Sequence, residues 1–320
     1  MNRIWIGLFS IVLVGCQPSD EPAESAAAPE VPIMEQDRQA ESEPDATTHS
    51  ATDRLSQALA SQSSEIQARY DQRHPQETLE FFGVEPGMTV VEGLPGGGWY
   101  TKILLPYLGS EGRLIGANYP MSLFQQFDFA TEDFLVGIAG WPDTFPAQAA
   151  EWCAEDCAEL DAFWLGNLPD ELHASADAVL FIRALHNMAR FQNQGVDDYL
   201  DQAFRDAYQV LKPGGVLGVV QHQAREDMPD DWATGGTGYL KKSFVIAQAE
   251  AAGFVLEAES AINENPADQP TVSDVVWRLP PSLSTSGEDP ELRAQLEAIG
   301  ESHRMTLKFR KPASEGTVHH

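Results

Sequence analysis

Basic side chains are scarce in this chain. Lysine and arginine together number 20 against 49 aspartates and glutamates over 320 residues, a formal charge of −29. Binding phosphate backbones needs clustered Lys and Arg, so a nucleic-acid partner is not expected, and neither is electrostatic docking on anionic lipid. Cysteine is rarer still: three residues do not make a disulfide scaffold. No Cys-x-x-Cys or His-Glu-x-x-His occurs, so no metal site is expected. No apolar run reaches the roughly 20 residues that a membrane-spanning helix needs. Gly-x-x-x-x-Gly-Lys-[Ser/Thr] and Gly-x-Gly-x-x-Gly are both missing, which excludes a P-loop and weakens an NAD-dependent oxidoreductase. There is no internal repeat. Hydrophobic residues still make up 42% of the chain, enough for a core, and the length suits one large domain with appendages or two small ones.

The first sixteen residues read as an address. Arg3 precedes an apolar run, Ile4 to Val14, of the length and charge layout of a signal-peptide core. The run ends in Leu13-Val14-Gly15-Cys16, which resembles the bacterial lipobox. That resemblance implies a signal peptide over 1–15, lipidation of Cys16 and, with Gln17 rather than Asp next, an outer-membrane anchor facing the periplasm. The only membrane partner expected is reached through that lipid. Residues 17–50 hold nine acids, one Arg and almost no large apolar side chain. Such a segment buries too little surface to offset its ordering entropy, so 16–50 reads as a flexible, self-repelling tether. The folded body is expected over 51–312, with a flexible tail at 313–320.

Within the body, residues 52–82 carry helical spacing broken near His74-Pro75, and Gly83 and Pro86-Gly87 close that stretch. Strands are expected at 88–91, 113–117, 162–165, 177–182, 216–220, 254–262 and 305–309. Helices are expected at 100–108 and 239–252. A third is expected from Val196, with apolar residues at 196, 199, 200, 203, 204, 207, 208 and 211. Residues 119–157 are ambiguous. Strands alternating with helices imply parallel βαβ units and a doubly wound sheet, in which ligands bind outside the carboxyl ends of the strands.

The segment after the first strand is Glu92-Gly-Leu-Pro-Gly-Gly-Gly-Trp-Tyr-Thr101. Three consecutive glycines between strand and helix let the backbone approach a ligand closely. This segment resembles motif I of the class I S-adenosylmethionine-dependent methyltransferases, and in particular a branch of exported predicted methyltransferases. Further stretches agree with that branch: F-I-R-A-L-H-N at 181–187, L-K-P-G-G-V-L-G-V-V-Q-H at 211–222, I-N-E-N-P at 262–266, W-R-L-P-P at 277–281 and E-S-H-R-M-T-L-K-F-R-K-P at 301–312. The resemblance implies a Rossmann-like, seven-stranded doubly wound α/β sheet, a methyltransferase-like domain over 51–312 with an insert at 263–304, and S-adenosylmethionine as cofactor.

Position by position, Glu92 matches the motif I acid, which in the superfamily lies near the methionine amino group and ribose. Gly96, Gly97 and Gly98 match the loop that wraps the cofactor, while Leu94 stands where the first glycine usually is. Asn118 takes the place of the ribose-binding acid after the second strand, and Asn167 that of the residue beside adenine. Arg183, His186 and Asn187 follow the fourth strand, where the superfamily places substrate-contacting groups. His186 is the expected general base, and Arg183 suits a carboxylate or phosphate. His222 is a candidate pocket wall equally readable as packing, Trp99 could pack on adenosine but reads more readily as core, and the insert around Trp277 is read as a lid or wall over the site or as padding of the sheet edge. Cys153 and Cys157 suit a loop disulfide in an oxidising compartment. The expected function is methyl transfer to an unidentified small-molecule or envelope acceptor; the alternative is a non-catalytic, ligand-binding lipoprotein that keeps the fold.

Overall fold

The computed structural model describes residues 46–313. The signal segment 1–15, Cys16, the tether up to residue 45 and the tail from 314 lie outside the described residues. Among the described residues there are eight strands: β1 Thr89–Gly93, β2 Arg113–Asn118, β3 Glu159–Trp164, β4 Ala176–Ile182, β5 Leu211–Ala224, β6 Leu240–Lys241, β7 Val255–Ser260 and β8 Arg304–Arg310. Seven of them run in the order β3-β2-β1-β4-β5-β8-β7. The sheet is parallel except where β8 inserts antiparallel between β5 and β7. The expected count of seven is exceeded by the two-residue β6, which pairs with the far end of β5 at Gln223 and Ala224.

Both faces of the sheet are covered, and the period-2 alternation of strand side chains assigns them. Val91, Val179, Phe181 and Leu217 enter a core with the helices Leu185–Asn193 and Tyr199–Val210. Val90, Leu114, Leu180 and Val220 enter the opposite core, against Pro75–Phe82 and Thr101–Leu108. At roughly 1.5–3 kcal/mol per fully buried large aliphatic side chain, these two layers dominate stability.

Helix boundaries differ from expectation in places. A helix, Ala46–Ala60, begins inside the stretch read as tether and buries Leu55, Ala58 and Leu59. Its Arg54 holds the carbonyls of Pro106 and Tyr107 and the carboxylate of Asp156. Val196 is exposed and lies ahead of its helix, which starts at Tyr199. The ambiguous region resolves into short helices, Met121–Phe124, Glu132–Ile138 and Trp141–Ala150, followed by a loop closed by the Cys153–Cys157 disulfide. The insert 263–304 carries a 3-10 turn, Val276–Arg278, and an α-helix, Pro290–Ile299, and is pinned by a buried ion pair, Arg278 Nη2 to Asp268 Oδ1 at 2.6 Å. The Tyr239 hydroxyl donates to the other Asp268 oxygen at 2.9 Å. Among the described residues no helix is long and apolar enough to cross a membrane.

Candidate functional site

The sheet order reverses between β1 and β4, and a cleft of about 840 Å³ opens at the carboxyl ends of these strands. That size falls in the range of small-molecule sites, about 300–1,000 Å³. Its walls include the segment 63–73, the turns after β1 and β2, the residues after β4, His222 of β5, and the insert with Trp277, Pro280 and Glu301.

The turn after β1 is built from left-handed residues, with φ of +56° at Leu94, +54° at Gly96 and +77° at Gly98. Leu94 therefore adopts the conformation that glycine usually supplies, at some steric cost. Its N–H donates to Ala117 O at 2.7 Å and its side chain lines the cleft. A Cβ added at Gly97 would meet nothing within 4 Å, and Gly96 and Gly97 both line the cleft. Gly98 does not. It faces Trp152, whose ring would lie 2.2 Å from an added Cβ.

Glu92 stands at the carboxyl end of β1. It is buried, does not line the cleft, and accepts a hydrogen bond from Thr101 Oγ1 at 2.6 Å. Burial pushes its carboxyl up to about 7, against the opposing effect of that bond. Through Oε2 it ties the end of β1 to the first turn of the next helix. Asn118 lines the cleft, with its Oδ1 accepting from Tyr119 N at 2.9 Å. Asn167 is exposed and outside it, because the turn is held against the 199–210 helix by Gly166 N donating to Asp206 Oδ2 at 2.6 Å.

The three residues after β4 do converge on the cleft. Arg183 has φ +60° and its N–H donates to Val220 O at 2.6 Å, so the chain leaves the sheet in a tight left-handed step. Asn187 Nδ2 donates to Tyr119 Oη at 3.3 Å, and that hydroxyl donates to Ala184 O at 2.9 Å. Asn187 is thereby a brace between the ends of β2 and β4 as well as part of the wall. His186 sits in the first turn of its helix, its ring 5.6 Å from that of His222 and 5.9 Å from Trp277. Burial lowers its pKa to about 4, against the opposing effect of the Gln221 side chain and with a further push from the Arg183 charge. Its Nδ1 is buried without a hydrogen-bond partner. Oε1 of Gln221 shares that condition. His222 lines the cleft too, with Nδ1 2.6 Å from Ser302 Oγ and its pKa depressed chiefly by burial.

Sequence reasoning named Arg183 but missed the other arginines and the glutamate that gather with it at one end of the cleft. Arg69, Arg73 and Arg183 meet Glu301 there, and Arg304 closes on Glu301 from behind. Trp99 lies under the Arg73 guanidinium, 4.6 Å from it. The only signals were the spacing of Arg69 and Arg73, one helical turn apart, and the acid-to-base spacing of Glu301 and Arg304.

No protein-family model matches the chain, and no curated protein matches it at a significant level. Among solved structures, the cyclase SpnF is similar at 16% identity and a TM-score of 0.46, over 83% of this chain and 94% of that one. A SAM-dependent methyltransferase from Aquifex aeolicus is similar at 12% identity and a TM-score of 0.43, over 80% and 98%. An arsenic(III) S-adenosylmethionine methyltransferase from Chlamydomonas reinhardtii is similar at 14% and 0.43, over 82% and 75%. At such identities and scores the likeness is one of broad chain layout, and the chemistry of those proteins does not transfer with it.

Proposed function

We propose that this chain is an S-adenosylmethionine-dependent methyltransferase, with the acceptor bound beside His186. The observation that carries the reading is the glycine turn itself. It follows the central strand β1, sits where the strand order reverses, and presents the bare backbone of Gly97 to an open cleft. The motif I resemblance of residues 92–101 supports the same assignment. Gly96, Gly97 and Asn118 would hold the cofactor, with Leu94 and Phe124 as apolar wall. When bound there, S-adenosylmethionine supplies an activated methyl group.

The acceptor must present a lone pair and shed a proton. His186 is neutral at pH 7 and lines the cleft, so one of its ring nitrogens is a hydrogen-bond acceptor. A base with a pKa near 4 pulls weakly on a proton, so His186 orients the acceptor more than it deprotonates it. The apolar ring of Trp277 against it limits water at that point. One feature favours the second reading, a ligand-binding protein without turnover: Glu92 is engaged with Thr101 rather than with the cleft.

For location, the Leu13-Val14-Gly15-Cys16 motif supports a lipoprotein anchored in the outer membrane and facing the periplasm. The Cys153–Cys157 bond fits such an oxidising compartment.

Calorimetry of the full-length protein with S-adenosylmethionine and S-adenosylhomocysteine tests the cofactor, and labelled methyl transfer into an envelope extract tests turnover. Binding of both, with incorporation that falls in His186→Ala, is the expected result. Absence of binding by either would overturn the assignment. Binding without incorporation at saturating cofactor points to the ligand-binding reading.

A further inference from the structure

Four guanidinium groups surround one carboxylate at the end of the cleft. Glu301 Oε1 takes Arg69 Nη2 at 3.0 Å and Arg73 Nε at 2.9 Å. Glu301 Oε2 takes Arg304 Nη1 at 3.1 Å and faces Arg183 Nη1 at 3.8 Å. The four arginines come from the N-terminal helices, the step after β4 and the start of β8, so they converge only in the folded chain. Their charges do not balance. One carboxylate, with about four lone-pair sites, is saturated by donors from these groups, while each guanidinium has five. Arg69 Nη2 and Arg304 Nε are buried without a well-formed hydrogen bond. Arg73 is pushed down to about 10, first by burial and then by the Arg183 charge.

A purely internal brace would be expected to match its charges, because an uncompensated buried cation is costly. Here about three positive charges remain, in a chain whose formal charge is −29. Arg73 and Arg304 are nearly closed off, but the Arg69 and Arg183 side chains keep 24% and 25% of their surface and line the cleft. Of the other charged side chains lining the cleft, Glu65 and Lys102, neither forms an ion pair with the cluster.

From this juxtaposition we infer that the cleft holds an anion site, in which a carboxylate or phosphate group of a small ligand docks on Arg69 and Arg183, with Glu301 as the internal counter-ion that keeps the arginines in place without it. The planar forks of arginine suit either anion. Assigning that group to a methyl acceptor, rather than to the amino-acid carboxylate of the cofactor, rests on the function proposed above; the anion site does not.

Inorganic phosphate is the probe, titrated calorimetrically into full-length protein at low salt. One saturable site is expected, weakened tenfold or more by Arg69→Gln and by Arg183→Gln. Arg293→Gln, on an exposed helix and paired with Glu297, should leave it unchanged. Glu301→Gln should tighten phosphate binding; if that variant does not fold, the two arginine variants carry the test. No saturable binding, or binding indifferent to Arg69→Gln and Arg183→Gln, would overturn the inference and leave the cluster a brace. Repeating the titration with S-adenosylhomocysteine present identifies the source. Competition assigns the site to the cofactor's carboxylate, and simultaneous binding assigns it to the acceptor. Should S-adenosylhomocysteine not bind at all, the methyltransferase reading fails while the phosphate result stands.

Discussion

Two adjacent glycines show how finely a single residue divides fold from function. Gly97 has open space where a side chain would go, and that space is the cleft. Gly98 has a φ of +77° and the ring of Trp152 pressed against it. Gly97→Val should therefore fold with nearly unchanged stability and lose most of its affinity for S-adenosylhomocysteine. Gly98→Val should lose about 2 kcal/mol or more of stability, from strain and overpacking together. Denaturant midpoints and calorimetry on the two variants check the pair. Equal destabilisation of both would mean the turn does not face the cleft as described. In the sequence the three glycines look alike, since neither the Trp152 contact nor the direction of each Cα–H bond is written in local residue order.

At the level of elements, the loop 153–157 supports the site from behind. Its disulfide closes a very short loop directly after Trp152, the residue that packs on Gly98 and lies under Lys102 Nζ at 4.7 Å. Arg54 and Ser110 both bond Asp156 in the same loop, so the first helix, the end of the 101–108 helix and the disulfide meet at one point. Replacing both cysteines by serine should cost up to about 2 kcal/mol, the loop-entropy value for so short a ring. It should also weaken S-adenosylhomocysteine, because Trp152 loses its anchor. Urea unfolding of the double variant, with calorimetry, reads both effects. Unchanged affinity alongside lost stability would confine the loop to a structural role. The insert is the second supporting element. Read in the sequence as a candidate pocket wall or as packing, the insert 263–304 contributes Trp277, Leu279, Pro280 and Pro281 to the cleft lining.

Across the whole molecule, buried titratable groups near the cleft pull stability in opposite directions with pH. Glu92 has its pKa raised from 4.5 to about 7 in the fold. The folded state thus keeps a proton that the unfolded chain releases, so this contribution is full below pH 4.5 and is lost as pH rises through 7. Two and a half pKa units correspond to about 3 kcal/mol. His186, lowered from 6.5 to about 4, acts the other way: its contribution is full above pH 6.5 and is lost as pH falls through 4. His222 adds to the acid side. The windows overlap, so Glu92 offsets part of the acid loss caused by the histidines. Glu92→Gln isolates its share. The stability of that variant minus that of the parent should grow by about 3 kcal/mol between pH 4.5 and 7 and stay flat above. A difference that does not vary with pH would show that Glu92 titrates normally and is not buried as described.

What the sequence determined by itself is what depends on near neighbours. Apolar period set the strands β1, β2, β4, β7 and β8 to within two residues and located the middle of β5, which runs on at both ends from Leu211 to Ala224. The Gly-Gly-Gly segment after β1 and the Arg183-x-x-His186-Asn187 segment after β4 placed both halves of the cleft at one sheet edge. Tertiary structure alone decided which of these groups face one another. Asn167 is drawn out of the site by the bond between Gly166 and Asp206, 40 residues apart in sequence. Glu92 is turned inward to Thr101, since a strand-end side chain has two faces to choose from and only packing selects one. The Arg73–Glu301 pair spans 228 residues, and no local pattern records a contact made by closing so long a loop. The basic end of the cleft therefore lay hidden in a strongly acidic sequence, because net charge sums over the chain while recognition depends on the few charges that folding gathers at one place.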